Sequence, residues 1–239
     1  GTTTIANGVI LTMNTNSSRT LSRPMVNNGR INHSAGYLTF GGGGTLTNSP
    51  TKIYELSGST FLFNSGSNNT FNNAGIFNDH STNDQTFQFT FNNSGQFNIF
   101  GTTVRVDGGG TNTGARNLAS GTVLHYRANY THGAGSTAAG SGLLSFNGGT
   151  QTISGNWTST CFVQMLTGIL DGTGNLTTNG PFSWASGTVT GIGNITIGPA
   201  GKLALTTTSS HTLSRPIINN GNLHYLNGQL TVVGTTITN

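Results

Sequence analysis

The sequence predicts an all-β fold: a single-stranded parallel β-helix (β-solenoid), right-handed, with about 10–12 coils. Three observations lead to this prediction. Thr, Gly, Asn and Ser make up 130 of the 239 residues, only 6% of the residues are charged, and similar segments recur at a spacing of 20 residues. Helical bundles and coiled coils are excluded because they need charged outer faces and strong helix formers. The regular placement of 13 Phe, 5 Tyr and 2 Trp argues against disorder.

The 20-residue spacing identifies the coil. Residues 70–78 (TFNNAGIFN) return as residues 90–98 (TFNNSGQFN), and Asn-Asn-Gly recurs at 27–29 and 219–221. Sandwiches and barrels also contain many short strands. A repeat near 20 residues with constant phase favours the solenoid, because each coil then stacks its strands on the same strands of the next coil.

A longer repeat relates the two ends of the chain. Residues 1–48 align with residues 193–239 with one single-residue gap, and 22 of 47 aligned positions are identical. The segment TLSRP stands at both 20–24 and 212–216, where Pro predicts a corner. Composition is similar throughout, so we predict a single β-solenoid domain over residues 1–239. Residues 116–140 fit the repeat least well and are predicted to form a loop or an irregular coil.

Alternation within short segments predicts the strands. Segments such as 36–40 and 228–232 are apolar at alternate positions and are bounded by Gly or Asn. Gly and Asn suit the corners because they adopt the left-handed conformation, and Asn at equivalent corners can stack amide on amide. Phe71 and Phe77 recur as Phe91 and Phe97, so we expect both pairs to stack in the core. An exposed sugar-binding stripe is the alternative for the nine Phe between residues 61 and 100.

Several phrases carry a resemblance to a known class of proteins. GTTTI at 1–5, TLSRP at 20–24, GGTLTN at 43–48, FNNSG at 91–95 and GTGNLT at 172–177 resemble the Gly/Asn/Thr-rich β-strand repeats of long secreted or surface proteins of bacteria. The resemblance covers nearly the whole chain. It implies a β-solenoid in an extracellular stalk, adhesin or fibre, secreted or on the cell surface, and it supplies no catalytic motif.

The acidic residues are the first candidates for chemistry. The chain has five of them: Glu55, Asp79, Asp84, Asp107 and Asp171. Glu55 and Asp79 are 24 residues apart and Asp84 and Asp107 are 23 apart, so either pair could fall on adjacent coils. Polysaccharide-degrading β-helix enzymes use acidic residues in this way. The neighbours here are mostly Asn, Thr and Gly, so we predict that the chain is not an enzyme.

Other ligand classes leave weaker signals. The six histidines lack metal-ligand spacing, so we predict neither a metal nor a cofactor. Cys161 lies in an apolar run and is predicted to be buried. The nine basic residues are spread over the whole chain, which argues against nucleic-acid binding despite a net charge of +4. No apolar run approaches the roughly 20 residues of a membrane-spanning helix, so we predict no membrane insertion.

These patterns together predict a non-catalytic extracellular structural protein. Both terminal segments carry related strand sequences without a charged or helical cap, and uncapped solenoid ends expose unpaired strand backbone. We therefore expect end-to-end self-association into a fibre, or alternatively a piece of a longer surface stalk in which the same ends continue covalently. The alternative is a carbohydrate-binding adhesin or a polysaccharide-degrading enzyme, with a glycan or another surface ligand as its partner. The predicted assembly surface contains Thr3, Ile5, Leu11, Leu230, Val232, Thr236, Ile237 and Thr238.

Overall fold

A computed structural model describes residues 1–239 and confirms the predicted all-β solenoid. The chain forms 33 β-strands and no helix, and neighbouring strands pair in parallel. The strands make about 12 coils. A complete coil has three strands, one on each of three faces, a number that the sequence did not predict.

The first face begins with β1 and ends with β32. It contains β1 (Thr3–Ile5), β4 (Met25–Asn27), β7 (Thr45–Asn48), β10 (Thr70–Asn73), β13 (Thr90–Asn93), β16 (Gly110–Asn112), β19 (Tyr130–His132), the C-terminal parts of β21 (Leu143–Ile153) and β23 (Phe162–Asp171), β26 (Gly187–Val189), β29 (Ser210–Leu213) and β32 (Gln229–Val232). The two long strands turn the corner from the third face, so they join two faces into one continuous sheet.

The second face is a single sheet of 12 strands. It contains β2 (Ile10–Met13), β5 (Arg30–His33), β8 (Ile53–Gly58), β11 (Ile76–Ser81), β14 (Gln96–Ile99), β17 (Ala115–Leu118), β20 (Thr137–Gly140), β22 (Trp157–Ser159), β24 (Leu176–Thr178), β27 (Ile195–Ile197), β30 (Ile217–Asn219) and β33 (Ile237–Thr238).

The third face completes each coil. It contains β3 (Ser18–Leu21), β6 (Gly36–Gly41), β9 (Thr60–Ser65), β12 (Gln85–Phe87), β15 (Thr103–Val106), β18 (Val123–Tyr126), the N-terminal parts of β21 and β23, β25 (Pro181–Trp184), β28 (Lys202–Leu205) and β31 (Asn222–Tyr225). No backbone ladder joins β9 to β12, although the two strands are in contact. The Gln85 amide fills this gap, because it accepts from the Leu62 N–H at 3.2 Å and donates to the Thr60 carbonyl at 2.8 Å.

One coil corresponds to the 20-residue repeat, and the core follows the repeat. Phe71 pairs with Phe91 in register, and Phe77 pairs with Phe97. Their ring centroids are 5.6 and 5.0 Å apart. All four rings belong to a continuous core of 42 buried residues. The predicted in-register packing of both pairs in the core is confirmed, with the Phe77 and Phe97 rings nearly parallel at 11° and the Phe71 and Phe91 rings edge to face at 69°.

Matching strands in the two copies of the longer repeat lie on different faces of the solenoid. Strands β1 to β7 correspond in sequence to β27 to β33. However, β1 lies on the first face, whereas β27 lies on the second. The two copies of the repeat are therefore offset by one face, or one third of a turn.

The structure corrects the expectation for residues 116–140. This stretch contains most of β17 and all of β18, β19 and β20, which pair in register with the coils on both sides. Its sequence departs from the repeat because its interior carries unusual polar side chains. Arg116 and His132 are both buried there.

Candidate functional site

The acidic residues do not form a paired site. In the β8–β11 register Asp79 lies opposite Leu56 and is fully buried, whereas Glu55 lies opposite Asn78 and is half-buried. Asp84 and Asp107 each bind a different arginine. The Asp84 carboxylate lies 2.9 Å from Arg105, and the Asp107 carboxylate lies 3.6 Å from Arg127. In the Glu55 and Asp79 pair, one carboxylate is therefore half-buried on the outer side of its strand and the other lies in the core.

Asp79 is the one carboxyl group within the core. Its Oδ1 accepts from the Ser81 N–H at 2.9 Å and from the Ser81 hydroxyl at 2.5 Å, but its buried Oδ2 has no partner. Burial raises the pKa of Asp79 to about 6, and the two bonds from Ser81 only partly oppose this shift. The group is therefore ionised at neutral pH at a cost to the folded state.

A charged cluster lies on the outside of the third face. His125 stands between the Arg105–Asp84 and Arg127–Asp107 ion pairs, and burial together with both arginines lowers its pKa. Ser145 follows His125 in register on the next coil, and its side chain is fully buried. A buried hydroxyl cannot reach a substrate, so the arrangement does not provide an activated nucleophile.

Cys161 is buried as predicted, at 1% exposure, and burial raises the pKa of its thiol. The raised pKa makes the thiol a poor nucleophile at neutral pH. No group of three His, Cys, Asp or Glu side chains has the arrangement of a metal site.

The most regular polar feature is a buried column of asparagines, which we call the Asn column. Each side-chain amide donates to the carbonyl oxygen of the next, over distances of 2.7, 2.8, 2.7 and 2.7 Å. The column contains Asn27, Asn48, Asn73, Asn93 and Asn112. These residues end strands on the first face, so the predicted amide stacking at equivalent corners is confirmed. The bonds tie five successive coils together.

Above the Asn column, the interior contains a buried cluster of Arg116 and His132. His132 follows Asn112 in register. Burial and the nearby Arg116 guanidinium lower the pKa of His132 well below its ordinary value, so its neutral Nδ1 accepts from Arg116 at 2.9 Å. Arg116 lies 5.1 Å from the Trp157 ring and has no carboxylate partner. Cation–π contact and a bond to the Thr137 carbonyl at 3.1 Å stabilise its charge.

Arg215 is the second fully buried arginine, and it connects three coils. Its Nε donates to the Gly193 carbonyl at 2.6 Å, one coil below. Its Nη atoms donate to carbonyls of a lower corner, at Asp171, Gly172 and Gly174, and to Thr190. We call this arrangement the arginine clamp. Sequence reasoning identified Arg215 only as part of a corner and missed its burial.

The predicted assembly residues all lie on the terminal coils. Ile5 is buried, Thr3, Leu11, Leu230 and Ile237 are half-buried, and Val232, Thr236 and Thr238 are exposed. The longer repeat allows the exposure of each terminal residue to be compared with that of its counterpart in the other copy. Val232 is 46% exposed, whereas its sequence counterpart Phe40 is fully buried beneath β9. The same position is thus covered in one copy of the repeat and open in the other.

Tyr225 and Leu11 repeat this contrast. Tyr225 is 56% exposed, whereas its counterpart His33 is fully buried beneath β8. Leu11 on the first coil is half-buried, whereas its counterpart Leu203 is 1% exposed. Both ends of the chain therefore present side chains that are interior elsewhere in the same molecule.

Three aromatic side chains cluster on the outside of the third face. Tyr37 lies 5.6 Å from Phe61 and 5.3 Å from Phe63 between ring centroids. A cavity of about 270 Å³ lies beside Tyr37 and is also lined by Asn16, Gly36 and Ser59. Core stacking, which we expected for the phenylalanines of residues 61–100, holds for six of the nine, while Phe61, Phe63 and Phe100 reach the surface.

Comparisons with known proteins do not assign the chain to a family. No protein-family model, curated protein or solved structure matches the chain. The structure contains no helix with the length and hydropathy that a membrane crossing requires. The chain is thus defined as a β-solenoid with three strands per coil and a buried Asn column.

Proposed function

We propose that the chain is a non-catalytic structural element of the bacterial surface or extracellular space that lengthens by end-to-end stacking of its coils. The observation that carries this proposal is the exposure contrast between the two copies of the repeat. Val232 and Tyr225 occupy positions that are fully buried in the covered copy. Covering them in the same way removes apolar surface from water, which favours association.

The backbone supports the same proposal. β31 and β32 pair with β28 and β29 on one side only, and β1 to β3 likewise pair on one side only. Edge strands of this kind template the pairing of another strand. A contact between the first coil of one copy and the last coil of another is heterologous, so repetition of the contact produces a filament.

Composition supports an extracellular location. With 6% charged residues, the outer surface consists largely of Thr, Asn, Ser and Gly. The one thiol, Cys161, is buried, so oxidising surroundings leave the fold unchanged. Protease treatment of intact source cells tests this part, because we expect the chain to be reached from outside.

Sedimentation velocity over a concentration series tests the assembly. We expect species that grow in single-chain increments, and we expect Val232→Lys to block growth because it places a charge on the open end. Phe100→Lys is the matched control, because Phe100 is 48% exposed, as Val232 nearly is, and lies directly after β14 in the middle of the solenoid. Equal growth of both variants would contradict the proposal.

Carbohydrate binding is a second candidate function, favoured by the Tyr37 cluster. The Tyr37 ring lies beside a cavity that Asn16 and Ser59 also line, and an aromatic face combined with a few polar groups suits recognition of a small ligand. The expected result is glycan binding that Tyr37→Ala abolishes and Phe100→Ala leaves intact, measured on a glycan array. Binding that survives Tyr37→Ala would move the site elsewhere.

A further inference from the structure

We propose that the interior of the solenoid binds a monatomic anion, chloride or another halide, beside the Arg116 guanidinium. Two observations lead to this site: a buried positive charge has no negative partner, and three buried hydrogen-bond donors around it have no acceptor. The side chains concerned lie between residues 116 and 157, in the middle coils. The site is therefore independent of the proposed end-to-end assembly.

Arg116 carries a positive charge into the core. Its side chain is fully buried, and a guanidinium keeps its proton inside proteins. The chain has four ion pairs, and none of them includes Arg116. A buried charge without a partner is strongly unfavourable, so proteins normally pair such charges.

The polar neighbours of Arg116 do not neutralise it. Its Nη1 lies 3.3 Å from the Tyr126 hydroxyl and 2.9 Å from His132 Nδ1. Its Nε donates to the Thr137 carbonyl at 3.1 Å. Burial and the arginine itself lower the pKa of His132 well below its ordinary value, so the imidazole is neutral. A hydroxyl, a neutral imidazole and a carbonyl carry no net charge, so the charge of Arg116 stays uncompensated.

Three donors in this part of the core have no partner in the chain. They are Arg116 Nη2, Trp157 Nε1 and the Ser136 hydroxyl, and each of these residues is at most 1% exposed. The Arg116 guanidinium lies 5.1 Å from the centroid of the Trp157 ring. Ser136 and Trp157 directly precede Thr137 and Thr158, which pair in register. Buried donors are nearly always paired, so these three indicate an acceptor that is not part of the chain.

The chemistry of these groups favours an anion over a water molecule. A water molecule has two lone pairs, so it can accept from only two of the three donors, and its own two protons need acceptors. It also leaves the charge of Arg116 unpaired. A halide accepts from every donor around it and supplies the missing negative charge through charge-assisted hydrogen bonds.

The packing around Arg116 favours a small ion. In the register of the second face, Phe97 precedes Arg116 and Ala138 follows it. The short side chain of Ala138 brings few atoms to that side of the guanidinium. Arg116, Ser136, Ala138 and Trp157 are all at most 1% exposed. A halide is close to water in size and suits such an enclosed place, whereas sulfate, phosphate and carboxylates are larger.

Arg215 shows how the same chain pairs a buried arginine without an ion. All three of its nitrogen atoms donate to backbone carbonyl groups, among them those of Gly193 and Gly174. Burial lowers the pKa of Arg215, and the nearby Asp171 carboxylate opposes this shift. Arg116 has neither a full set of carbonyl partners nor a carboxylate nearby, so it is the arginine that needs an anion.

Thermal unfolding of the full chain in a chloride series tests the site. Sodium gluconate replaces sodium chloride at constant ionic strength, because gluconate is too large for the interior. A ligand that binds only the folded chain raises its stability with concentration. We expect the melting temperature to rise by roughly 5 °C or more at a chloride concentration about 100 times the dissociation constant. Sodium bromide should act as sodium chloride does.

Three variants remove parts of the site. Arg116→Met removes the charge and should make the melting temperature independent of chloride. Trp157→Phe removes the N–H and keeps an aromatic ring, and Ser136→Ala removes the hydroxyl. These two milder variants should need roughly tenfold more chloride for the same rise, a loss typical of one hydrogen bond to a charged group. They keep the site testable if Arg116→Met fails to fold.

The chain offers a matched control for each of the milder variants. Trp184 is as buried as Trp157, but its Nε1 donates to the Ser186 carbonyl at 3.1 Å. Ser145 is as buried as Ser136 and its hydroxyl also has no partner, but it lies on the third face in the column of His125. Trp184→Phe and Ser145→Ala should therefore keep the chloride dependence of wild type.

Diffraction from crystals grown in sodium bromide locates the ion. Bromide scatters anomalously, so we expect an anomalous peak within hydrogen-bond distance of Arg116 Nη2. A water molecule there without an anomalous peak would overturn the site. A melting temperature of wild type that does not respond to chloride, or the same response in folded Arg116→Met, would also overturn it. None of these readouts depends on filament formation, so the proposed assembly stands or falls separately.

Discussion

Replacement of Asn73 by Ala should cost far more stability than the same replacement at Asn72. Asn73 lies in the middle of the Asn column at 1% exposure. Its amide donates to Asn93 at 2.7 Å and to the Gln96 carbonyl at 2.8 Å, and it accepts from Asn48 at 2.8 Å. Buried groups left without a partner cost about 1–3 kcal/mol each, so we expect a loss of roughly 3–5 kcal/mol.

Asn72 is the matched control for this prediction. It lies on the same strand, faces outward, and accepts one side-chain bond from Asn92 at 2.9 Å. Solvent can replace that bond, so we expect Asn72→Ala to cost roughly 1 kcal/mol or less. Guanidinium denaturation followed by circular dichroism measures both losses. Equal losses for the two variants would refute the view that the buried column stabilises the stack.

Three further predictions concern two buried titratable groups and the glycine beneath the arginine clamp. Burial raises the pKa of Asp79 from 3.8 to about 6, so its stability contribution is full below pH 3.8 and is lost as pH rises to 6. Asp79→Asn should therefore add about 3 kcal/mol at pH 7 and nothing near pH 3.5, as measured by denaturation at both pH values. Burial lowers the pKa of His33 from 6.5 to about 4, so stability from this group falls as pH decreases through that range. His33→Gln should reduce the loss of stability between pH 6.5 and 4 by about 3 kcal/mol, and an unchanged pH profile would contradict the assignment. Gly193→Ala should lower the melting temperature because its Cβ overlaps the Gly174 carbonyl, whereas Gly1→Ala, with no atom within 4 Å of the added Cβ, should leave the melting temperature unchanged.

Much of the fold was predictable because β-solenoids repeat their interior coil by coil. The recurrence of Phe71 as Phe91 and of Asn73 as Asn93 predicted both the coil length and the columns. Residues 116–140 were misjudged because Arg116 and His132 replace the usual apolar and Asn residues while the backbone continues in register. In this stretch, departure from the sequence repeat therefore indicated a change in the buried side chains, while the strands themselves were kept.

The arginine clamp could not be predicted from local sequence. Arg23 and Arg215 occupy the same five-residue segment, yet one is exposed and the other is fully buried. Arg215 reaches carbonyl groups of the two coils below it, and only the stacking order brings those groups to the arginine. The offset of the two repeats by one face likewise depends on the varying lengths of the intervening coils.

Negative-stain electron microscopy of the purified, tag-free chain tests the central claim most directly. About 12 coils at the β spacing near 4.8 Å give a subunit of roughly 55 Å along the axis. Stacking of open end coils predicts unbranched filaments of constant width with that axial repeat, longer at higher protein concentration. Isolated rods of one subunit length at every concentration would contradict it.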